Sequence, residues 1–469
     1  MKIKRFVIGS FITVFSFIVV MFCLPTMVEQ KYLLNYYVNS FLLTSCLIIY
    51  FRFYYVNKFD IFSPFNIVSL IYITMFFITP MYDLVQKEYY WFGIDLFSYG
   101  IKGSFIAFLG YFTFSFFSFY TFKYRENDKV NKNIEIKNIK KNKWITLYIY
   151  VGYIICLVAN IWYLMKKNGI SILYIFTLGM MGGSNNSAST GDINAISMLS
   201  YALPSYALMI CEYEDKKFVK VISFLLMFVL QVARGFRFFI LQIIIMFASY
   251  YCIRKNKKPK LSQIFMIGIF TMIPIILMTL FRTSIRGGSG MNFSILNFKA
   301  IQDAIDAAVW DNFRIYKTYY GLIKAVPNLT GYLFGKQIFV YTLIMFIPRA
   351  IWKNKPGNPG TEAQRLGIGK QAVLGGSAYP GIGEYYYEFG VFGVGFFMSI
   401  FAIYLKNIQR KYRYNANTCI DLMKYSTIIG TILQFVIRGY TPSNFWMLVF
   451  CVLPYYFLNK LNRKGELCE

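Results

Sequence analysis

The sequence predicts an all-α, polytopic membrane protein of about 12 transmembrane helices with one long basic loop on the extracytoplasmic side. The first observation is composition. Of the 469 residues, 57% are hydrophobic and only 15% are charged, whereas soluble domains carry roughly 25% charged residues; mean hydropathy is +0.47. The second is spacing, because apolar runs of 16 to 23 residues recur along the whole chain, enough or nearly enough to cross ~30 Å of hydrocarbon. The third is where the charge falls. The 49 Lys and Arg against 21 Asp and Glu would suggest nucleic acid in a soluble chain. Here they gather between apolar runs, as cytoplasmic loops of membrane proteins do, and no nucleic-acid partner is expected. Buried helices of a large soluble enzyme would be shorter and interrupted by polar faces.

The expected spans, in order, are 6–24, 32–51, 64–82, 100–122, 144–164, 193–212, 218–233, 236–252, 263–281, 384–405, 421–437 and 443–459. The start, Met1-Lys2-Ile3-Lys4-Arg5 before an apolar stretch, is shaped like a signal peptide, but no small-residue cleavage site follows, so an uncleaved first span is expected. With the N-terminus in the cytoplasm, 27 of the 49 basic residues fall in cytoplasmic connections, most densely in 123–143, 253–262 and 406–413. An even number of spans returns the C-terminus, with Lys460, Arg463 and Lys464, to the same side. The run 332–350 is apolar enough to be a further span, yet counting it would invert everything downstream. It is read as a re-entrant or interfacial segment, tolerated where protein covers the backbone. The chain then divides into 1–281 (nine spans), 282–383 (the long loop, with an amphipathic helix and the re-entrant segment) and 384–469 (three spans and a cytoplasmic tail).

The loop departs from the charge rule. It carries twelve basic residues against Asp303, Asp306, Asp311 and Glu362. Long loops cross largely regardless of charge, so a merely tolerated basic loop is one reading. The other rests on arginines at span ends or beside apolar sequence: Arg234, Arg237, Arg282, Arg286, Arg349 and Arg438, with Arg314 further out. Guanidinium at membrane depth is costly and needs an anionic partner, and outward carboxylates are few. A phosphate-bearing ligand suits the planar fork.

Within 299–325 the acids Asp303, Asp306 and Asp311 could hold a divalent metal, but pairing with Arg314 or Lys317 at helical spacing is the favoured reading. The glycine-rich stretch 375–390 lets backbone approach a ligand and leads into a helix start, where free N–H groups attract anions; a flexible return to the membrane would use the same residues. Glu384 and Glu388 lie one turn apart there. Each could act as a base toward a hydroxyl or simply pair with an arginine. Tyr379, Tyr385 and Tyr386 could stack on sugar rings or belong to an interfacial aromatic belt. Eight cysteines are scattered without metal or disulfide spacing, and histidine is absent, which excludes an imidazole base or a His-ligated metal.

Three segments resemble those of the Wzy-type O-antigen and capsular repeat-unit polymerases. They are the Arg234-Gly235-Phe236-Arg237 turn opening an apolar helix, Ile347-Pro348-Arg349-Ala350-Ile351-Trp352-Lys353-Asn354-Lys355-Pro356, and Gly381-Ile382-Gly383-Glu384-Tyr385-Tyr386-Tyr387-Glu388-Phe389-Gly390-Val391-Phe392-Gly393. About twelve spans with a long external loop before the last three also resemble that group, over nearly the whole chain. The resemblance implies a GT-C-like polymerase or ligase architecture in the bacterial cytoplasmic (inner) membrane. It further implies a metal-independent, cofactor-free glycosyltransferase that joins undecaprenyl-diphosphate-linked oligosaccharides on the outer face, with lipid diphosphate as leaving group. Implied roles are Glu384, then Glu388, as base, the seven arginines as diphosphate contacts, and Tyr379, Tyr385 and Tyr386 as glycan contacts. Implied partners are the lipid-linked oligosaccharide and membrane lipid, with room for a chain-length regulator and a flippase. The related ligases are expected to use an external histidine, so its absence favours a polymerase. A flippase for the same lipid is the main competing class.

Overall fold

A computed structural model describes residues 25–56, 60–120, 136–168, 198–234, 237–257, 259, 262, 266, 268–269, 272–273, 275–277, 279–280, 298–311, 313–345, 347, 352–354, 359–369 and 378–467. The architecture is that of an all-α membrane protein. Among the described residues, six stretches are long and apolar enough, by length and composition, to cross a membrane: Gln30–Phe53, Pro64–Val85, Phe97–Phe119, Lys143–Met165, Gly381–Tyr414 and Cys419–Ile437. Phe238–Arg254 is a shorter apolar helix. The expected span 6–24 lies outside the described residues, and 193–212 and 263–281 are described only in part.

The helices are α1 (Leu33–Val56), α2 (Pro64–Val85), α3 (Gly100–Tyr120), α4 (Lys143–Asn168), α5 (Leu203–Tyr213), α6 (Lys217–Ala233) and α7 (Arg237–Arg254). After these come α8 (Phe298–Trp310), α9 (Tyr316–Ala325), α10 (Lys336–Tyr341 continuing through Thr342–Ile344), α11 (Pro359–Ile368), α12 (Gly381–Gln409), α13 (Cys419–Ile437) and α14 (Thr441–Leu467). A small antiparallel hairpin, Tyr90–Trp91 (β1) with Ile94–Asp95 (β2), follows α2.

Local chemistry explains several boundaries. Ser63 accepts from the Asn66 N–H and Pro64 takes the first helical position of α2, where a missing N–H costs nothing. Inside α2 the ladder loosens to a π-helical turn, Thr74–Ile78, just before Pro80. The Phe77 carbonyl there accepts from Asn39 Nδ2 at 2.8 Å, so the irregular turn is tied to α1. Thr418 caps α13 by accepting from the Asp421 N–H.

Two apolar cores share α13. One joins α1, α2, α3 and α9 with α12, and the other joins α4, α5, α7 and α14. The central place of α13 shows in its burial, which is nearly complete along its length. Polar contacts sort the connections into two ends. At one end Lys137 N–H donates to the Asn417 carbonyl, Lys140 N–H to Asn462 Oδ1, and Arg254 pairs with Glu212. Arg413 pairs there with Asp60. The opposite end gathers 82–98, 163, 201, 234, 238, 379–388 and 438–441, and holds everything described below.

Helices α8 and α9 are fastened to that opposite end by a buried ion cluster. Asp83, at the end of α2 and fully buried, faces Arg314 Nε at 3.3 Å and Lys317 Nζ at 3.0 Å, and accepts from Tyr316 Oη at 2.7 Å. Arg314 also meets Asp306 at 2.9 Å and Glu88 at 3.4 Å. Burial works against its charge, but Asp83, Glu88 and Asp306 prevail and hold the guanidinium above its usual range. The expected pairing of Arg314 with an acid of the loop is present. It runs to Asp306 across the turn between α8 and α9, with Asp311 three residues back at 4.0 Å, and it is shared with Asp83 of α2.

The start of α12 is separated from its long membrane portion by a break at Phe389 (φ −138°, ψ 21°) and Gly390 (φ 65°, ψ −148°). An L side chain is strained in that region at Gly390, and its Cβ would also come within 3.1 Å of the Tyr332 ring. The carbonyls of Tyr387 and Glu388 accept from the Leu333 and Phe334 N–H groups, each at 3.0 Å. The break thus becomes a dock for the segment leading into α10.

Two substitutions test these devices. Asp83→Ala leaves Arg314 and Lys317 buried without their shared carboxylate and is expected to cost about 3–5 kcal/mol, read as an earlier thermal unfolding transition in detergent. Gly390→Ala should cost about 1–3 kcal/mol and increase protease cleavage within 332–345; an unchanged digestion pattern would argue against the dock.

Candidate functional site

The first turns of α12 carry two buried carboxylates on one face, and each closes the N-terminus of a different helix. Glu388 accepts from three backbone N–H groups at the start of α10: Gly335 at 2.5 Å, Gln337 at 2.9 Å and Ile338 at 2.9 Å. These are orphan donors of a helix end, and an anion there also opposes the positive pole of the helix. Glu384 does the same for α14. It accepts from Thr441 N–H at 2.9 Å and Thr441 Oγ1 at 2.6 Å. Gln337 Nε2 adds a third donor to Glu384 at 2.7 Å and donates equally closely to Tyr379 Oη. Gln337, fully buried, therefore links both glutamates and the tyrosine. The backbone closes the same junction, since Gly439 N–H donates to the Tyr379 carbonyl at 2.6 Å. A Cβ on Gly381 would lie 2.1 Å from the Phe435 carbonyl oxygen, so α12 and the end of α13 approach backbone to backbone there.

The arginines fall into three groups. Arg234, at the end of α6, is 2% exposed and encloses its guanidinium among the rings of Tyr201 (4.5 Å), Phe239 (4.6 Å) and Tyr163 (5.1 Å). Its Nε and Nη1 have no hydrogen-bond partner. Arg438 follows α13 and lies over the Phe238 ring at 5.2 Å; Phe238 and Phe239 are adjacent, with centroids 4.2 Å apart. Two aromatic rings thus bridge the surroundings of Arg234 and Arg438. Arg314 stands apart in the ion cluster on α2. Arg237 opens α7, with its side chain outside the described residues, and Arg282, Arg286 and Arg349 lie outside them altogether.

The three tyrosines are all buried. Tyr379 is held by Gln337, Tyr385 stacks on Phe397 with centroids 5.1 Å apart, and Tyr386 donates to the Val326 carbonyl at 3.2 Å. The structure brings Tyr379, Glu384, Glu388 and the neighbourhood of Arg438 together, and it seats Arg234 against the same aromatic layer.

Sequence reasoning missed Gln337, Thr441 and a set of buried carboxamides. Asn35 Oδ1, both polar atoms of Asn160, Gln231 Oε1, Gln242 Oε1, Gln337 Oε1 and Gln434 Nε2 have no hydrogen-bond partner. All belong to the end that holds Glu384. An isolated carboxamide inside an apolar run was the available signal, since polar groups in spans are costly and rarely idle. The partnership of Gln337 with two glutamates had no local signal, because it joins residues about fifty positions apart.

No curated protein and no solved structure matches the chain. Among protein families, residues 7–465 match O-antigen polysaccharide polymerase Wzy, a group acting on lipid-linked oligosaccharide repeat units in membranes. With nearly its entire length matched, the chain belongs to the Wzy family of O-antigen polysaccharide polymerases.

Proposed function

We propose that this polymerase transfers a glycan from undecaprenyl diphosphate to a hydroxyl of a second lipid-linked repeat unit, at the extracytoplasmic face of the bacterial inner membrane. Both termini are then cytoplasmic, and the end carrying Glu384 and Arg234 is the outer one. The observation that carries the reading is Arg234, a buried guanidinium without an acidic partner among the described residues. A buried cation in that state costs several kcal/mol, and an anionic ligand would offset it.

In the reaction the acceptor oxygen bonds to the anomeric carbon while the bond from that carbon to the diphosphate oxygen breaks. The hydroxyl proton passes to a base, and undecaprenyl diphosphate leaves with the electron pair. Negative charge grows on the leaving oxygen, so fixed cations in a water-poor site lower the barrier. Arg234 and Arg438 take this role, with Arg237, Arg282, Arg286 and Arg349 as further contacts and Arg314 tied mainly to α2. Charge neutralisation by arginine needs no metal. Glu384 is assigned the proton, because its partners include two side-chain donors, the Thr441 hydroxyl and the Gln337 amide, beside the Thr441 N–H. Glu388 is assigned to holding α10, since three fixed backbone N–H groups surround it. Tyr379, Tyr385 and Tyr386 shape the glycan side, and a chain-length regulator or flippase would dock outside the described core.

The test is complementation of a deletion strain, with glycan length read on gels and protein level by blot. Arg438→Met and Arg234→Met should abolish long polymer at normal protein level, leaving single repeat units exported; wild-type chain lengths would sink the assignment. Glu384→Gln should lower polymerisation by about 10²–10⁴-fold, the usual share of a general base. Glu388→Gln should chiefly lower thermal stability. Normal polymer from Glu384→Gln would leave Glu384 as a helix cap alone.

A further inference from the structure

Around Arg234 the unpaired polar groups are of both kinds, and a phosphate could satisfy only some of them. Asn160 lies on the buried face of α4, one turn before Leu164, which packs against Ala233 beside Arg234. Tyr163, three residues after Asn160, sets its ring 5.1 Å from the Arg234 guanidinium. Gln231 precedes Arg234 by three residues at the end of α6, and its Nε2 reaches the Ser200 carbonyl at 3.4 Å. Next to Ser200, Tyr201 covers the guanidinium at 4.5 Å. One junction of α4, α6 and the turn before α5 therefore holds all three polar side chains. Asn160 is fully buried and Gln231 is 1% exposed.

Their inventory is specific. Unpaired donors are Asn160 Nδ2 and Arg234 Nε and Nη1; unpaired acceptors are Asn160 Oδ1 and Gln231 Oε1. Ionised phosphate oxygens accept but cannot donate, so they serve the first set and leave the second unmet. A group that carries hydroxyls or amide N–H beside an anion meets both. On a polyprenyl-diphosphate-linked glycan, the sugar joined to the diphosphate has that chemistry, and aromatic rings beside carboxamides suit its apolar face and its hydroxyl rim.

We propose that Asn160 and Gln231, beside Arg234, form the subsite for the sugar attached directly to the diphosphate of the donor, and so set which repeat unit the polymerase accepts. This rests on the reading of Arg234 as a diphosphate contact. It accounts for both polar atoms of Asn160 and the Oε1 of Gln231 being buried without hydrogen-bond partners, which is costly unless a ligand meets them.

The test uses detergent-purified full-length protein and two probes: undecaprenyl diphosphate, and the lipid-linked repeat unit extracted from a strain lacking this gene. Asn160→Leu and Gln231→Met should weaken binding of the repeat-unit lipid by about tenfold, the loss of one good hydrogen bond. They should leave undecaprenyl diphosphate binding unchanged and should not lower the unfolding temperature of the free protein. Arg234→Met should weaken both probes. Equal losses on both probes from the carboxamide variants, or no loss on either, overturns the subsite while leaving the arginine reading intact. Unchanged binding of both probes to Arg234→Met overturns the arginine reading itself. If either carboxamide variant does not fold, Asn160→Ala or Gln231→Ala replaces it, and failure of both members of a pair marks a structural group and overturns the proposal.

Discussion

At Phe389 and Gly390 the backbone of α12 leaves the helical region, and the polar end of the bundle is organised by that departure. The carbonyls of Tyr387 and Glu388 turn to Leu333 and Phe334, and the Glu388 side chain then receives the first N–H groups of α10. Four residues earlier, Glu384 closes α14 through Thr441. In hydrocarbon every backbone polar group must find a partner within the protein. A helix that starts inside the bundle is possible only where something supplies those acceptors. Two glutamates on adjacent turns supply them for two helices, and Gln337 couples the pair.

The ion cluster at Asp83 solves a different problem. Helices α8 and α9 lie on the end of the bundle, and α8 presents few buried apolar residues to hold it there. Asp83, Glu88 and Asp306 instead engage Arg314 and Lys317 across three elements. Tyr82 adds an aromatic stack on Trp310, with centroids 4.6 Å apart. With its charge met locally, Arg314 differs from Arg234, whose guanidinium lies among aromatic rings with Nε and Nη1 lacking a hydrogen-bond partner. That contrast separates an arginine held by carboxylates of the fold from one packed among aromatic rings.

Unsatisfied carboxamides among the described residues gather at the same end. Such groups lower the stability of the free protein, and sites built for a ligand keep them for that reason. At that end, then, two carboxylates close helix ends, while Arg234 Nε and Nη1 and several carboxamide atoms lack hydrogen-bond partners.

The sequence by itself determined the class of protein, its family resemblance and the main apolar helical runs. The class and the runs follow from local quantities, namely length, apolarity and charge along the chain. It also brought forward Glu384, Glu388, Arg234 and Arg438, because charge beside apolar sequence is conspicuous. Only the tertiary structure decided what those groups do. That Glu388 meets backbone N–H groups, that Arg314 belongs to Asp83 some 231 positions away, and that Tyr385 and Tyr386 are packed inside depends on which helices meet. Hydrogen-bond partners across such separations leave no periodic trace. A carboxylate reads the same in sequence whether it caps a helix or takes a proton; its neighbours in space make the difference.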